Sequence, residues 1–322
     1  MNIATKPQVR VADDAGINDA ATLLRSGGLV AFPTETVYGL GADATNGRAV
    51  AEIFAAKKRP QFNPLIVHLR DTAQAETYAT FGEAARKLAA AFWPGALTLV
   101  LPRSKDCPLS KLVSAGLETV ALRVPAHPIA ARLLAEAAVP IAAPSANVSG
   151  RISATTAAHV REDLDGRVDL ILDGGATPLG LESTVIGFDG GRPVLLRAGA
   201  IPREAIEKVV GPLSQPTNLA VQSPGQLASH YAPHASVRLN ATSIRSNEAL
   251  LAFGPDIPRG AQLVENLSAT GNLTEAAANL FAMLHTLDAS RLPIAVMPIP
   301  EQGLGEAIND RLKRAAAPRE AS

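Results

Sequence analysis

Hydroxyl, amide and cationic side chains recur in this sequence at the ends of short apolar runs. "FPTETVYGLG" (residues 32–41) sets Thr34, Glu35, Thr36 and Tyr38 just after the run "GLVA". "AAKKRPQFNPLIVH" brings Lys57, Lys58, Arg59, Asn63 and His68. "TVALRVP" holds Arg123 inside an apolar run, which costs free energy unless the guanidinium is paired or faces a ligand. "APSANVSGRIS" adds Ser145, Asn147 and Ser153, "ESTVIGF" adds Ser183 and Thr184, and "LLRAG" sets Arg197 before Gly199. Each stretch alone has a structural reading. Thr34, Thr36 and Tyr38 can satisfy a turn, Lys57, Lys58 and Arg59 can offset a helix C-terminus, and Arg123 can sit in a buried salt bridge. Together they place cations (Lys57, Arg59, Arg123, Arg197), hydroxyls (Thr34, Thr36, Ser145, Ser183) and amides (Asn63, Asn147) near strand ends, where α/β proteins bind ligands. No serine stands in a recognisable motif with a histidine base, and no Gly-Lys-Ser/Thr follows the first loop. The chemistry that fits is the holding of a polyanion, as in nucleotidyl transfer, where catalysis is largely orientation and charge stabilisation.

Strands and helices must carry these residues. "INDAATLLRSGG" reads as a helix stopped by Gly27 and Gly28, "LVAFP" as a strand, and "GRAVAEIFAAKKR" as a helix ended by Pro60. The alternation continues through "PLIVHL", "EAARKLAAAFWPG", "ALTLVLP", "TVALRVP", "PIAARLLAEAA" and "VPIAAPSA". It ends with three strands, "VDLILDGG", "STVIGFD" and "PVLLRAG", and the helix "REAIEKVVG". This is α/β architecture. The last two strands flank a Gly-Gly pair and predict an antiparallel hairpin, so the sheet is expected to be mixed. Residues 212–235 break the pattern with Pro, Ser and Gln and read as a linker. Its "SHYAPHA", with His230, Tyr231 and His234, is an odd composition for a passive tether. From residue 236 a second α/β pattern begins, with strands at "SVRLN", "EALLAFG" and "LPIAVMPIP" and helices at "LTEAAANLFAMLHTLDAS" and "GLGEAINDRLKRAAA". It predicts a small Rossmann-like domain without a GxGxxG after its first strand. The expected organisation is residues 1–211, 212–235 and 236–322.

Composition narrows the function classes. Of 322 residues, 47% are hydrophobic and 19% charged, so most of the chain is expected to fold. Lys+Arg and Asp+Glu are both 30, which removes any whole-chain electrostatic argument for nucleic-acid or membrane binding. One cysteine, Cys107, excludes an intrachain disulfide or a Cys-rich zinc site and suits a reducing cytoplasm. No secretory leader and no membrane span are expected.

In order, "FPTETVYGLG", "KKRPQFNPLIVH", "WPGALTLVL", "LRVP", "APSANVSG", "ESTVI" and "LLRAG" resemble the YrdC-like threonylcarbamoyl-AMP synthases over residues 16–210. The "SHYAPH" linker and terminal domain resemble the long, two-domain form. The resemblance implies an open, twisted α/β sheet with a large basic cavity. It implies synthesis of threonylcarbamoyl-AMP and pyrophosphate from L-threonine, bicarbonate or CO2, and ATP with Mg²⁺. A tRNA-modifying transferase complex downstream would pass the threonylcarbamoyl group to tRNAs reading ANN codons. The same resemblance assigns Lys57 and Arg59 to catalysis beside the phosphates. It assigns Thr36, His68, Arg123, Ala143 and Ser183 to threonine. Arg59, Asn63, Thr119, Ser145, Asn147, Ser153, Arg197 and Tyr231 go to ATP, with Tyr231 expected to close over the ligand. Lys58 stands where glycine is common. Glu35 has no assigned role beyond pairing with a nearby cation. The alternatives are a non-catalytic RNA-binding protein, which neutral charge and few aromatics oppose; a carbamoyl-adenylating maturation factor, which the lone cysteine opposes; and a member of the fold with another acceptor.

Overall fold

The computed structural model describes residues 8–214 and 230–318. The first domain runs β1 (Gln8–Val11), α1 (Asp14–Arg25), β2 (Val30–Phe32), β3 (Gly39–Asp43), α2 (Gly47–Lys57), β4 (Ile66–His68), α3 (Thr72–Tyr78), α4 (Glu83–Phe92), β5 (Leu97–Pro102), β6 (Thr119–Arg123), α5 (Pro128–Ala137), β7 (Ile141–Ala142), α6 (Ala157–Leu164), β8 (Leu170–Asp173), β9 (Thr184–Asp189), β10 (Arg192–Arg197) and α7 (Arg203–Val210). Local signals set the boundaries. Asp13 caps α1 by accepting from the Gly16 amide, and Asn46 caps α2 by accepting from the Arg48 and Ala49 amides. Lys58 ends α2 in the left-handed conformation.

The ten strands form one mixed sheet in the order β1-β8-β2-β3-β7-β4-β6-β5-β9-β10. The expected antiparallel hairpin is β9–β10, turning at Gly190 and Gly191 with φ of 55° and 83°. One feature departs from the sequence reading. "FPTETVYGLG" is not a strand opening into a plain loop: the chain returns at Gly39 as β3, antiparallel to β2. The glycines that suggested a loop instead permit close packing. A Cβ on Gly41 would lie 2.8 Å from the Phe32 ring and 2.9 Å from Ile141 Cγ2.

Strand periodicity decides where a site can form. Helices α1 and α5 cover one face over β2, β7 and β8 through Ile17, Leu24, Leu133 and Leu134. The opposite face is covered by α2, α3, α4, α6 and α7. On the α1/α5 face, beyond those helices, Ile66, Val100, Ala121 and Val185 form a small cluster that contains no helix residue. His68 and Arg123 lie two residues along from Ile66 and Ala121, so they project from this uncovered half of the sheet.

The second domain comprises β11 (Val237–Arg238), β12 (Ala249–Ala252), β13 (Val264–Asn266), α8 (Leu273–Ala289), β14 (Ile294–Val296) and α9 (Leu304–Ala316). Its sheet is parallel, ordered β11-β14-β12-β13. Unlike a doubly wound fold, it packs both helices against one face, through Leu251 and Val296, while Ala241, Leu250, Ala252 and Ala295 cluster on the other. The two helices thereby form a shared layer, because Val37, Ile152 and Leu181 of the first domain belong to the same apolar cluster. Gly180 makes that approach possible. It has φ +66°, and a Cβ there would lie 2.5 Å and 2.4 Å from the carbonyl oxygens of Ala277 and Ala278 on α8. Gly180→Ala is therefore expected to destabilise the protein by about 2–3 kcal/mol, read as a lower thermal midpoint.

Candidate active site

A cavity opens on the uncovered half of the sheet. It is lined by Thr34, Thr36, Arg59, His68, Arg123, Ala143, Ser145, Ser183, Arg197 and Tyr231, which the sequence had singled out across almost the whole chain. Tyr38, Ile66, Glu182 and His230 also line it.

One wall is built on β4, β6 and the β2–β3 turn. His68 and Arg123 are register partners on parallel strands. Thr34 accounts for the turn: its hydroxyl donates to the Val37 carbonyl at 2.7 Å and accepts from the Thr36 and Val37 amides. That leaves Thr36 for the cavity, where its Oγ1 accepts from Arg123 Nη1 at 2.9 Å. Arg123 Nη2 donates to Glu35 Oε1 at 2.6 Å, which gives Glu35 a partner. Burial pushes the Glu35 carboxyl up, but the charge and hydrogen bond of Arg123 outweigh it and hold it below its ordinary value. Its Oε2 is buried without a hydrogen-bond partner. Burial, with the Arg123 charge second, pushes His68 down to about 3, so the imidazole is neutral across ordinary pH. His68 packs edge-on against Phe32 and its buried Nδ1 is unpartnered.

The other wall is cationic. Arg59 is buried and donates to the carbonyls of Asn63 at 3.2 Å and Pro64 at 2.9 Å. Burial, and then the charge of Arg197, push it down to about 9. Arg197 grips the Ser183 carbonyl at 2.8 Å, and Ser183 Oγ bonds Thr98 Oγ1 at 2.7 Å. A buried guanidinium whose charge a second one disfavours marks a place suited to an anion. Among the described residues no carboxylate pairs with Arg59 within salt-bridge distance.

Several expected residues stand behind this lining. The Lys57 ammonium donates to the Ser145 carbonyl at 2.5 Å and to the Asn147 carbonyl, and so props the loop after β7. Asn147 Nδ2 donates to the Val148 and Arg151 carbonyls, with Oδ1 unpartnered. Asn63 is fully buried with both amide atoms unpartnered, a strong mark of a missing polar partner. Ser153 Oγ donates to Glu182 Oε1 at 2.6 Å. Thr119 is not brought to the cavity. It begins β6, about 13 Å of strand from Arg123, and lines a separate surface depression with Thr80, Pro102 and Phe188.

The linker and second domain complete the enclosure. His230 and Tyr231 are buried and line the cavity, their rings 4.0 Å apart. Residues 215–229 of the expected linker lie outside the described residues. Tyr231 adopts φ 60°, stacks on Phe281 of α8 at 5.5 Å, and has a buried, unpartnered hydroxyl. Two participants were missed in the sequence, Glu182 and Arg311. The signal for Arg311 was its place on the stripe Ala307, Ile308, Leu312 and Ala315, where a solvated charge would not sit.

The family model described as "Telomere recombination", covering Sua5, YciO and YrdC, matches residues 22–199, and the model described as "Threonylcarbamoyl-AMP synthase, C-terminal domain" matches residues 201–317. The chain belongs to the threonylcarbamoyl-AMP synthase family. A relative in Bacillus subtilis named threonylcarbamoyl-AMP synthase is 43% identical, with 97% of each chain covered. The crystal structure of Pyrococcus abyssi Sua5 complexed with L-threonine superposes with a TM-score of 0.89 at 40% identity, covering 97% of this chain and 98% of that one. Escherichia coli YciO matches 60% of this chain with a TM-score of 0.54 at 26% identity. The second domain thus distinguishes the long threonylcarbamoyl-AMP synthases, such as the Pyrococcus protein, from the shorter YciO.

Proposed function

We propose that this chain makes threonylcarbamoyl-AMP and pyrophosphate from L-threonine, CO2 or bicarbonate, and ATP. The observation that carries the reading is one cavity with two unlike walls. The Thr36–Arg123–His68 corner suits a small hydroxylated amino acid, and the Arg59–Arg197 wall suits a polyphosphate. The likeness to a protein crystallised with L-threonine supports it.

In the proposed reaction the lone pair of the neutral threonine amine bonds to CO2 and the nitrogen gives up a proton to solvent water, leaving a carbamate. A carbamate oxygen attacks the α-phosphorus of ATP. The new O–P bond forms as the bond from the α-phosphorus to the bridging oxygen breaks, and pyrophosphate departs with that electron pair. Arg123 takes the amino-acid carboxylate bidentately, Thr36 and neutral His68 contact the hydroxyl, and Ile66 and Ala143 face the methyl group. Arg59 and Arg197 stabilise charge on the phosphates. No side chain needs to act as acid or base, since the carbamate is already an anion. Mg²⁺ would enter as the counter-ion of ATP. Glu35 and Glu182, the carboxylates at the cavity, are already paired with arginines, and no group of three or more acidic, His or Cys side chains that could hold a metal occurs among the described residues.

We place the reaction in the cytoplasm, before a transferase that moves the threonylcarbamoyl group to an adenosine beside the anticodon. Among the described residues no helix is long and apolar enough to cross a membrane.

The test is pyrophosphate release from ATP and bicarbonate with single amino acids. Threonine should support it. Serine, lacking one methyl group, should give a kcat/KM lower by about 10–200-fold. Release that is independent of the amino acid, or no release at all, would overturn the reading.

A further inference from the structure

The second domain sends one charge into the first. Arg311 on α9 is fully buried, and Nε donates to Glu182 Oε2 at 2.9 Å. Nη2 donates to the Ala198 carbonyl at 2.9 Å, and Nη1 to Asp310 at 2.7 Å. The guanidinium carbon also lies 5.1 Å from the centre of the Tyr231 ring, a cation–π distance. None of these partners is substrate, yet Glu182, Ala198 and Tyr231 adjoin the cavity. Glu182 precedes Ser183, and Ala198 follows Arg197. The two segments are pressed together, since a Cβ on Gly199 would lie 2.5 Å from the Glu182 carbonyl oxygen. Glu182 also fixes Ser153, and Tyr231 forms part of the lining.

We propose that Arg311 is a positioning residue of the active site, by which the second domain fixes the Ser183 and Arg197 segments and seats Tyr231. The inference rests on the reading given under Proposed function. It gives the second domain a part in the reaction: Arg197 and the Ala200 amide already join the two segments to each other, and Arg311 adds a link from both of them to α9 and to the Tyr231 ring. The Ala198 carbonyl satisfies a buried N–H that neutralising Glu182 leaves over, whereas the Tyr231 face is a contact that neutralisation alone does not require. Lysine, a point donor without the planar fork, cannot reproduce the three contacts.

The experiment compares Arg311→Lys, Arg311→Met and the double variant Arg311→Met/Glu182→Gln with the wild-type chain. The double variant removes the buried, unpaired carboxylate that would otherwise unfold the protein. Thermal midpoints are measured alongside KM for threonine and ATP, kcat, and amide hydrogen exchange at Ala200 and Ala232. These amides bond the Glu182 and Gly150 carbonyls respectively. Expected are a recovered thermal midpoint in the double variant, faster exchange at both amides, and raised KM for both substrates, with kcat/KM down by about 10²-fold. Arg311→Lys should remain impaired. A loss of folded fraction alone would lower kcat and leave both KM values unchanged, which would overturn the proposal. Wild-type turnover in the double variant would also overturn it, since charge neutralisation would then be the whole role. If the wild-type chain releases no pyrophosphate, the functional reading falls by itself. Exchange at the two amides then decides the positioning role: unchanged protection refutes it and lost protection upholds it.

Discussion

Arg59→Ala is expected to lower threonine- and bicarbonate-dependent pyrophosphate release by about 10³-fold, with the protein still folded. The size follows from where Arg59 sits. Its hydrogen bonds go to two backbone carbonyls, at 3.2 Å and 2.9 Å, so no buried carboxylate is stranded when it is removed. Burial first, and then the charge of Arg197, disfavour its cation in the free protein and push it down to about 9, so repulsion from Arg197 adds to a desolvation cost. In the proposed reaction that repulsion would be relieved when phosphates arrive and would return as pyrophosphate leaves. The variant should therefore keep, or slightly raise, its thermal midpoint while losing turnover. Single-turnover release of labelled pyrophosphate checks the first part and thermal denaturation the second. Near-normal release from folded Arg59→Ala would remove Arg59 from the chemistry.

Arg123→Met should fail in both respects. It removes the proposed partner of the threonine carboxylate, and the threonine KM should rise by about 100-fold or more. It also leaves Glu35 buried without its counter-charge, a loss of about 3–5 kcal/mol in stability. Glu35→Gln separates the two effects, because the amide can still accept from Arg123 while the buried negative charge is gone. Its threonine KM should change far less. The pH dependence has a definite sign. The Glu35 carboxyl is held below its ordinary value of 4.5 in the folded state. Its stabilising contribution is therefore present above that pH and is lost as pH falls through the depressed value. Below pH 4.5 the wild-type urea midpoint should fall more steeply than that of Glu35→Gln. Parallel curves would mean that the pair does not contribute through charge.

These two arginines also show what could be read from the sequence. Arg123 was legible because a guanidinium inside an apolar strand demands a partner, and either a salt bridge or a ligand would satisfy it. The structure supplies the first through Glu35, a residue that sequence alone left without a place, and leaves room for the second. The β2–β3 turn was half legible. Thr34 performs the turn chemistry and Thr36 faces the cavity, a division of labour that spacing could not reveal. The return strand from Gly39 was hidden because glycines that permit close sheet packing look like glycines that make a loop. The α/β alternation and the final hairpin were clear from hydrophobic period and the Gly-Gly turn. The two helices of the second domain were also legible, but their shared layer was not, since it depends on which face of α8 meets residues more than ninety positions earlier. Lys57 was singled out for catalysis beside the phosphates and Ser153 as an ATP contact; their side chains bond the loop that carries Ser145 and the carboxylate of Glu182.

The Arg311–Glu182 contact joins residues 129 positions apart, one in each domain. During synthesis the first domain emerges and can fold before Arg311 has been translated. At that stage the sheet, the two arginines of the phosphate wall and the Thr36 corner can all be in place, while Glu182 has no guanidinium to hold it. A ribosome-bound chain would thus carry a formed but unfastened active site. Competence would begin only when α9 docks, late in the life of the nascent protein.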